Sequence, residues 1–462
     1  MRFDLLVRGG RVVSALAADR ADVGVMDGRI RAVGDLRDAT GDRVLQAEGC
    51  LVLPGGVDPH THIHWPFLDA TTRDDFLDGP IAALHGGTTT IVDWALPDAG
   101  SARAGVQRRR QEAEDQKIPI DFSLHCVLSP GLARGLDEMG EIVEMGLPTF
   151  KCYLTYRRRG LLVDDGLLYE ALTRARSLSA IIGVHAENPS LHERAEAEFR
   201  ARGLVDPIYF RRAKHNLVEA EAIHKAIFLC EAADSALLVQ HVSTREGVDL
   251  IREARRRGLN VLGETTPHYL VLTDEVYERE DGRRFICSPP IKSRDDQDAL
   301  WAGLADGTLS IIGADHAAFS LEDKAMGETA FDVPNGLPGI ETRLPLVYFY
   351  GVAQGRLSAS RFCEIVAENP ARIAGLYPRK GAIAVGSDAD LVVIDPDKRR
   401  VVTDRDLHQA SDWTPYEGLE LQGTIRATVL RGEIVVEDGR YLAPSTPGSF
   451  LPGEPGGYRT VR

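Results

Sequence analysis

The feature that most constrains this chain is an eightfold alternation through its middle. Short β-branched and apolar runs recur as "LPGGVDPHTH" (53–62), "GTTTIVDW" (87–94), "IDFSLHCV" (120–127), "TFKCYL" (149–154), "AIIGVHAEN" (180–188), "ALLVQHVS" (236–243), "NVLGETT" (260–266) and "LSIIGADH" (309–316). Amphipathic stretches such as "DGLLYEALTRARSLS" and "TREGVDLIREARRRG" lie between them. Strands that alternate with helices form parallel sheets, because parallel neighbours need a crossover connection. Eight such units predict an α/β fold, a (β/α)8 TIM-like barrel, over residues 55–376. A doubly wound sheet competes, but no GxGxxG follows a first strand.

The two ends have a different texture. "DLLVRGGRVV", "ADVGVMDGRIRAVG" and "RVLQAEGCLVLPG" are β runs split by turns, including Asp27-Gly28, and "DADLVVID", "TIRATVLRG" and "EIVVEDGRYL" repeat the pattern near the other end. Neither end supplies enough strands for its own core. The expectation is one small β-sandwich built from residues 1–54 and 377–462, the latter including a tail.

Composition narrows the partners. A formal charge of −15 sets the chain against nucleic acid and anionic membrane, whose phosphates it would repel. No run approaches about 18 apolar residues, and the N-terminal apolar run is too short for a signal peptide. Six scattered cysteines without a CxxC pair suit a reduced, cytoplasmic protein. Arginine triplets at 108–110 and 255–257 fall in helix-like stretches and predict solvated faces; a third, Arg157–Arg159, follows the fourth strand.

Barrel enzymes place their chemistry at the C-terminal ends of the strands, and metal-capable residues recur there. His60 and His62 end strand 1, Lys151 lies in strand 4, His185 ends strand 5, His241 ends strand 6 and Asp315 ends strand 8. Any one of these suits a satisfied polar strand end; six on one rim predict a site. His60 and His62 are two apart, so on a strand both face one way and can chelate one ion. His185 and His241, from adjacent strands, can hold a second. His64 shares their parity but lies beyond the expected strand end. An ordinary Lys151 ammonium, with a pKa of about 10.4, would repel two dications. Modified by CO2 it becomes a carbamate able to bridge them; the alternative is a lysine paired to a carboxylate.

The constellation resembles the binuclear amidohydrolase superfamily and, within it, the hydantoinase/dihydropyrimidinase family of cyclic amidohydrolases. "PGGVDPHTH" is similar to the D-x-H-x-H opening, "FKCYLTY" to the carboxylated-lysine strand, "HAEN" and "QHVS" to the later histidine strands, and "GADHAAF" to the final aspartate. "GLYPRKGAIAVGSDADLVVIDP" is similar to the re-entry into the sandwich, so the likeness covers almost the whole chain. The resemblance implies two divalent ions, zinc first and manganese second, bridged by carbamylated Lys151 and a hydroxide. His60, His62 and Asp315 would hold one ion, and His185 and His241 the other. Asp315 would shuttle the proton from hydroxide to leaving nitrogen, and Tyr156 would donate to the developing oxyanion.

The same resemblance bears on the substrate. Dihydroorotases carry an arginine where His64 stands, to bind a ring carboxylate. "CSPPIK" and "PNGLPGIETRLPL" place Ser288 and Asn335 where hydantoinases contact a neutral ring. "ETTPHYL", with His268, leans toward allantoinases, and the loop with His64, Trp65 and Phe67 is unusual. The expectation is hydrolysis of a cyclic ureide or imide, with allantoinase as the alternative. Dihydroorotase and a non-catalytic dihydropyrimidinase-like scaffold stand further back. Trp65 and Phe67 would cover the ring and tolerate apolar substituents, while Arg157–Arg159 could fold over the mouth. Homologues in this family form tetramers or dimers, so the resemblance also implies a homo-oligomer.

Overall fold

The computed structural model describes residues 1–67 and 70–461. Eight parallel strands form its central sheet: β1 (Gly56–Thr61), β2 (Thr88–Ala95), β3 (Asp121–Val127), β4 (Thr149–Tyr153), β5 (Ile181–His185), β6 (Ala236–Val239), β7 (Asn260–Thr265) and β8 (Ile311–Ile312). They pair in sequence order, each with the next. The ring closes between β8 and β1 through a Thr61–His316 bridge and a hydrogen bond from the His62 N–H to the His316 carbonyl at 2.8 Å. The fold is the expected (β/α)8 barrel.

Local chemistry starts the outer helices where the periodicity does. The Asp164 side chain accepts from Leu167 N–H ahead of helix Asp165–Ser177, and Thr244 accepts from Gly247 N–H ahead of helix Arg245–Arg256. These side chains satisfy amide groups that a first helical turn leaves unpaired. Strand runs here are almost wholly buried, as a parallel sheet covered on both faces requires.

Two further sheets stack beside the barrel. Arg2–Arg8, Asp22–Met26, Arg29–Gly34 and Thr40–Gln46 form one; the other joins Leu51–Pro54 antiparallel to Leu391–Val401 and continues through Glu420–Leu430 and Glu433–Glu437. Leu5, Val25, Leu391 and Val429 are among the residues of their shared core. The last segment leaves this sandwich. Phe122 N–H donates to the Ser449 carbonyl at 3.0 Å, and Leu451 N–H donates back to the Phe122 carbonyl at 2.7 Å. Tyr458 then packs against Ile181, Ala236 and Ile311, at the starts of barrel strands. The tail therefore covers the N-terminal end of the barrel, opposite the rim that carries the histidines.

The solvated-face reading of the helical arginine triplets fails at Arg109. It is buried, holds Asp93 at 2.8 Å and donates to the Ile63 carbonyl. A helix packed on a barrel turns one residue in each short run inward. Here the inward position has a buried carboxylate to meet.

Candidate active site

The strand ends bring the predicted residues together. A cavity of about 40 Å³ is lined by His62, Lys151, His185, His241, Asp315, Tyr156, Ser288, Asn335, Trp65 and Phe67. His60 lies directly behind it, with no solvent exposure and its ring 5.2 Å from that of His62 and 5.4 Å from that of His241. His185 and His241 have ring centroids 4.4 Å apart. His64 is the exception: it is exposed and pairs with Glu112 at 3.0 Å, outside this cavity. The chain has already left β1 there, so strand parity no longer directs the side chain.

Three site residues lie past the strands expected to end with them, His62 following β1 by one residue. His241 follows β6 by two residues and Asp315 follows β8 by three, with φ of 39° and 47°. Tyr156, with φ 62°, shares this left-handed backbone. Non-glycine residues rarely adopt it, and such conformations persist where surrounding structure holds them.

Asp58, at the start of the D-x-H-x-H run, supplies part of that hold. Its Oδ1 accepts from His60 N–H at 3.2 Å and from Ala314 N–H at 3.0 Å, tying β1 to the segment that carries Asp315. Arg343 lies 3.4 Å from its other oxygen. Asp93 fixes the exit from β1, accepting from the Thr61 hydroxyl at 2.8 Å and Ile63 N–H at 3.0 Å.

The donor set is arranged for cations. One ligand atom from each of His60, His62 and Asp315 lies within 4.8 Å of the others. Asp315 Oδ1 stands 3.3 Å from His60 Nε2 and 3.1 Å from His62 Nε2. His60 Nε2 and His241 Nδ1 are buried without a hydrogen-bond partner. Buried polar atoms are normally satisfied, so orphaned imidazole nitrogens at a shared centre are what ligands look like before the ion is counted. Burial pushes His60 and His241 well below the usual imidazole range and His185 to about 4, so all three are neutral, the ligating form. Burial would raise Asp315, but the hydrogen bond from His62 holds it below the carboxylate range. Burial also brings Lys151 down to about 8.

Several participants went unassigned in the sequence. Glu264 on β7 has no exposure and stands 2.6 Å from His60 Nδ1. In the tautomer that leaves Nε2 bare, Nδ1–H donates to this carboxylate. Gly313 passes close by: a Cβ there would meet His60 Cβ and Glu264 Oε1, each at 2.6 Å, so the "GADH" glycine leaves room for this pair. Glu187, in "HAEN", accepts from His185 Nε2 at 2.9 Å, from Lys214 at 2.8 Å and from the Ser288 hydroxyl at 2.6 Å. Ser288 also accepts from Lys214 at 2.5 Å, so its oxygen is engaged by the protein on the cavity wall. His268 lines the cavity too, and burial takes it to about 4. In "NVLGETT" the sequence marks Glu264 only as part of a strand; its alternation with inward-facing neighbours is the available signal.

A closed parallel barrel with histidines from three strand ends, a buried lysine and an aspartate on one rim defines the class: an α/β-barrel protein with a polar, cation-ready centre. The chain belongs to the amidohydrolase family, whose model matches residues 51–435. It is 38% identical to a D-hydantoinase from Geobacillus stearothermophilus over 96% of each chain. It is 39% identical to a D-phenylhydantoinase from Escherichia coli over 98% of each. The solved D-hydantoinase of Bacillus sp. AR9 superposes with a TM-score of 0.93 at 35% identity, covering 98% of this chain and 99% of that one.

Proposed function

We propose that this protein is a metal-dependent hydrolase that opens the cyclic amide bond of a neutral ureide or imide ring, of hydantoin or dihydropyrimidine type. The observation that carries the reading is the convergence of His60, His62 and Asp315, with buried unpartnered nitrogens on His60 and His241. The names of the relatives point the same way.

His60, His62 and Asp315 would hold one divalent ion and His185 and His241 a second, with Lys151 as its CO2-derived carbamate between them. Zinc suits this donor set best and manganese next. When bound, such ions supply the Lewis acidity that polarises an amide carbonyl and acidifies water. A Lys151 amine brought to about 8 is neutral often enough to react with CO2.

The chain's own residues do the rest. Asp315, kept ionised by its hydrogen bond from His62, takes the nucleophile's proton and returns it to the leaving nitrogen. Tyr156, its phenol raised by burial, stays protonated and donates to the oxygen that becomes negative. Trp65 and Phe67, both buried, close the ring's side of the cavity against water. Ser288 and Asn335 contact the ring, Ser288 with its hydroxyl fixed by Lys214 and Glu187.

The chain divides into sandwich (1–54), barrel (55–376) and sandwich plus tail (377–462), works in the cytoplasm and assembles as a homo-oligomer, a tetramer or dimer. Exposed Leu217 and Phe228 on helix Asn216–Ala232 support the assembly. Among the described residues no helix is long and apolar enough to cross a membrane. The test is a panel of hydantoin, dihydrouracil, a cyclic imide, allantoin and dihydroorotate with the metal-loaded protein. Hydantoin or dihydrouracil should lead; allantoin or dihydroorotate as the best substrate overturns the reading.

A further inference from the structure

The small cavity opens beside a second chamber of about 360 Å³, and Tyr156 and Asn335 belong to both. A substituent on a ring held at the first has this space to enter. Its walls are strongly charged, and the charges do not cancel. Arg157 faces Glu193 at 3.4 Å, and Lys214 is neutralised by Glu187 at 2.8 Å. Glu196 is held by Arg200 at 2.9 Å and lies 3.8 Å from Arg158, while Asp332 is taken by Arg200 at 2.6 Å. These four cations and four carboxylates balance, and Arg159, which also lines the chamber, adds a fifth cation.

The surplus falls on Arg159. Among the described residues no carboxylate pairs with it. Its guanidinium lies 4.4 Å from the Phe67 ring centroid and 5.3 Å from that of Tyr156, and it donates to the Pro66 carbonyl at 2.8 Å. One backbone acceptor uses little of a five-donor fork shaped for a carboxylate. Half-buried against two aromatic rings, this charge is less screened than one in open water.

We propose that this chamber is an anion-binding subsite for the ring substituent, that Arg159 reads the anion, and that the preferred substrates are cyclic ureides carrying a carboxylate on a short flexible side chain. The ring itself remains neutral, as the function proposed above requires, and the subsite rests on that function. Ring and side chain would thus be recognised by separate groups: Ser288 and Asn335 for the first, Arg159 for the second.

The test compares kcat/KM for hydantoin-5-propionate and its primary amide, two side chains of equal shape and different charge. The wild-type, metal-loaded protein should favour the carboxylate at least about tenfold at low salt, and the preference should shrink as salt rises. Arg159→Gln should bring the ratio to about one, Arg159→Lys should keep part of it, and Arg159→Glu should invert it. Each ratio is taken within one protein, so a general loss of activity cancels. A wild-type ratio at or below one, with hydantoin itself hydrolysed, overturns the subsite alone. A ratio unchanged in Arg159→Gln overturns the role of Arg159. No turnover of hydantoin or of either derivative overturns the hydrolase reading and the subsite with it.

Discussion

His60 Nδ1 and Glu264 Oε1 stand 2.6 Å apart with neither side chain exposed to solvent, one on the first barrel strand and the other on the seventh. The carboxylate fixes both the tilt and the tautomer of an imidazole whose other nitrogen faces Asp315. Burial raises the Glu264 carboxyl well above its usual range, and Glu264→Gln keeps its size and an acceptor while removing the ionisable group. Groups that orient metal-ligating histidines in this way are worth about 10–100-fold in metal affinity or activity. The variant should release metal at correspondingly lower chelator concentrations, measured by elemental analysis after dialysis, with kcat/KM falling in step. Full metal retention and unchanged kcat/KM would remove Glu264 from the site.

Metal number discriminates the site model. Two ligand groups predict saturation near two ions per chain, with activity lost on chelation and restored by zinc or manganese. Titration of stripped protein that reaches full activity at one ion per chain contradicts the bridged arrangement.

Lys151 gives a pH signature. Its amine, brought to about 8 by burial, must be unprotonated to take up CO2. Below that value the neutral fraction falls tenfold for each pH unit. Reactivation of stripped enzyme by metal at a fixed concentration of dissolved CO2 should therefore be about eightfold slower at pH 6.5 than at pH 7.5, and should level off above about 9. Lys151→Ala should lose metal and activity together, and short carboxylic acids should restore part of both. A rate of reactivation flat across this range argues against the carbamate.

Stability depends on a second buried lysine far from the site. Lys380 Nζ lies 2.6 Å from Asp121 on β3, 2.6 Å from Asp390 and 3.1 Å from Asp388. Burial alone would lower its pKa, but these carboxylates raise it, so the cation is held through neutral pH. Lys380→Met leaves Asp390 without its cation, while Asp121 keeps Arg431 and Asp388 keeps Arg379, and removing one partner of a buried ion pair typically costs about 3–5 kcal/mol. Denaturant unfolding should show the loss as a lower midpoint. A midpoint within error of wild type means that water or rearrangement relieves the cluster.

What repeats locally was legible in the chain alone. Alternating strand and helix periods announced the barrel, and the two-residue spacing of His60 and His62 put them on one face, because backbone geometry relates neighbours directly. Positions within or at the ends of strands likewise marked Lys151, His185, His241 and Asp315. Tertiary structure decided the relationships that no period encodes. Glu264 meets His60 across 204 residues because the sheet closes into a ring. Arg109 turns inward where a helix packs over Asp93, although its triplet looked solvated. His64 keeps the parity of the metal histidines yet points to Glu112, since the strand has ended. Arg159 reaches Phe67 only because two loops meet over one cavity. Local spacing fixes which way a side chain faces while the strand lasts; what it faces, and which charge is left without a partner, is settled when distant segments pack.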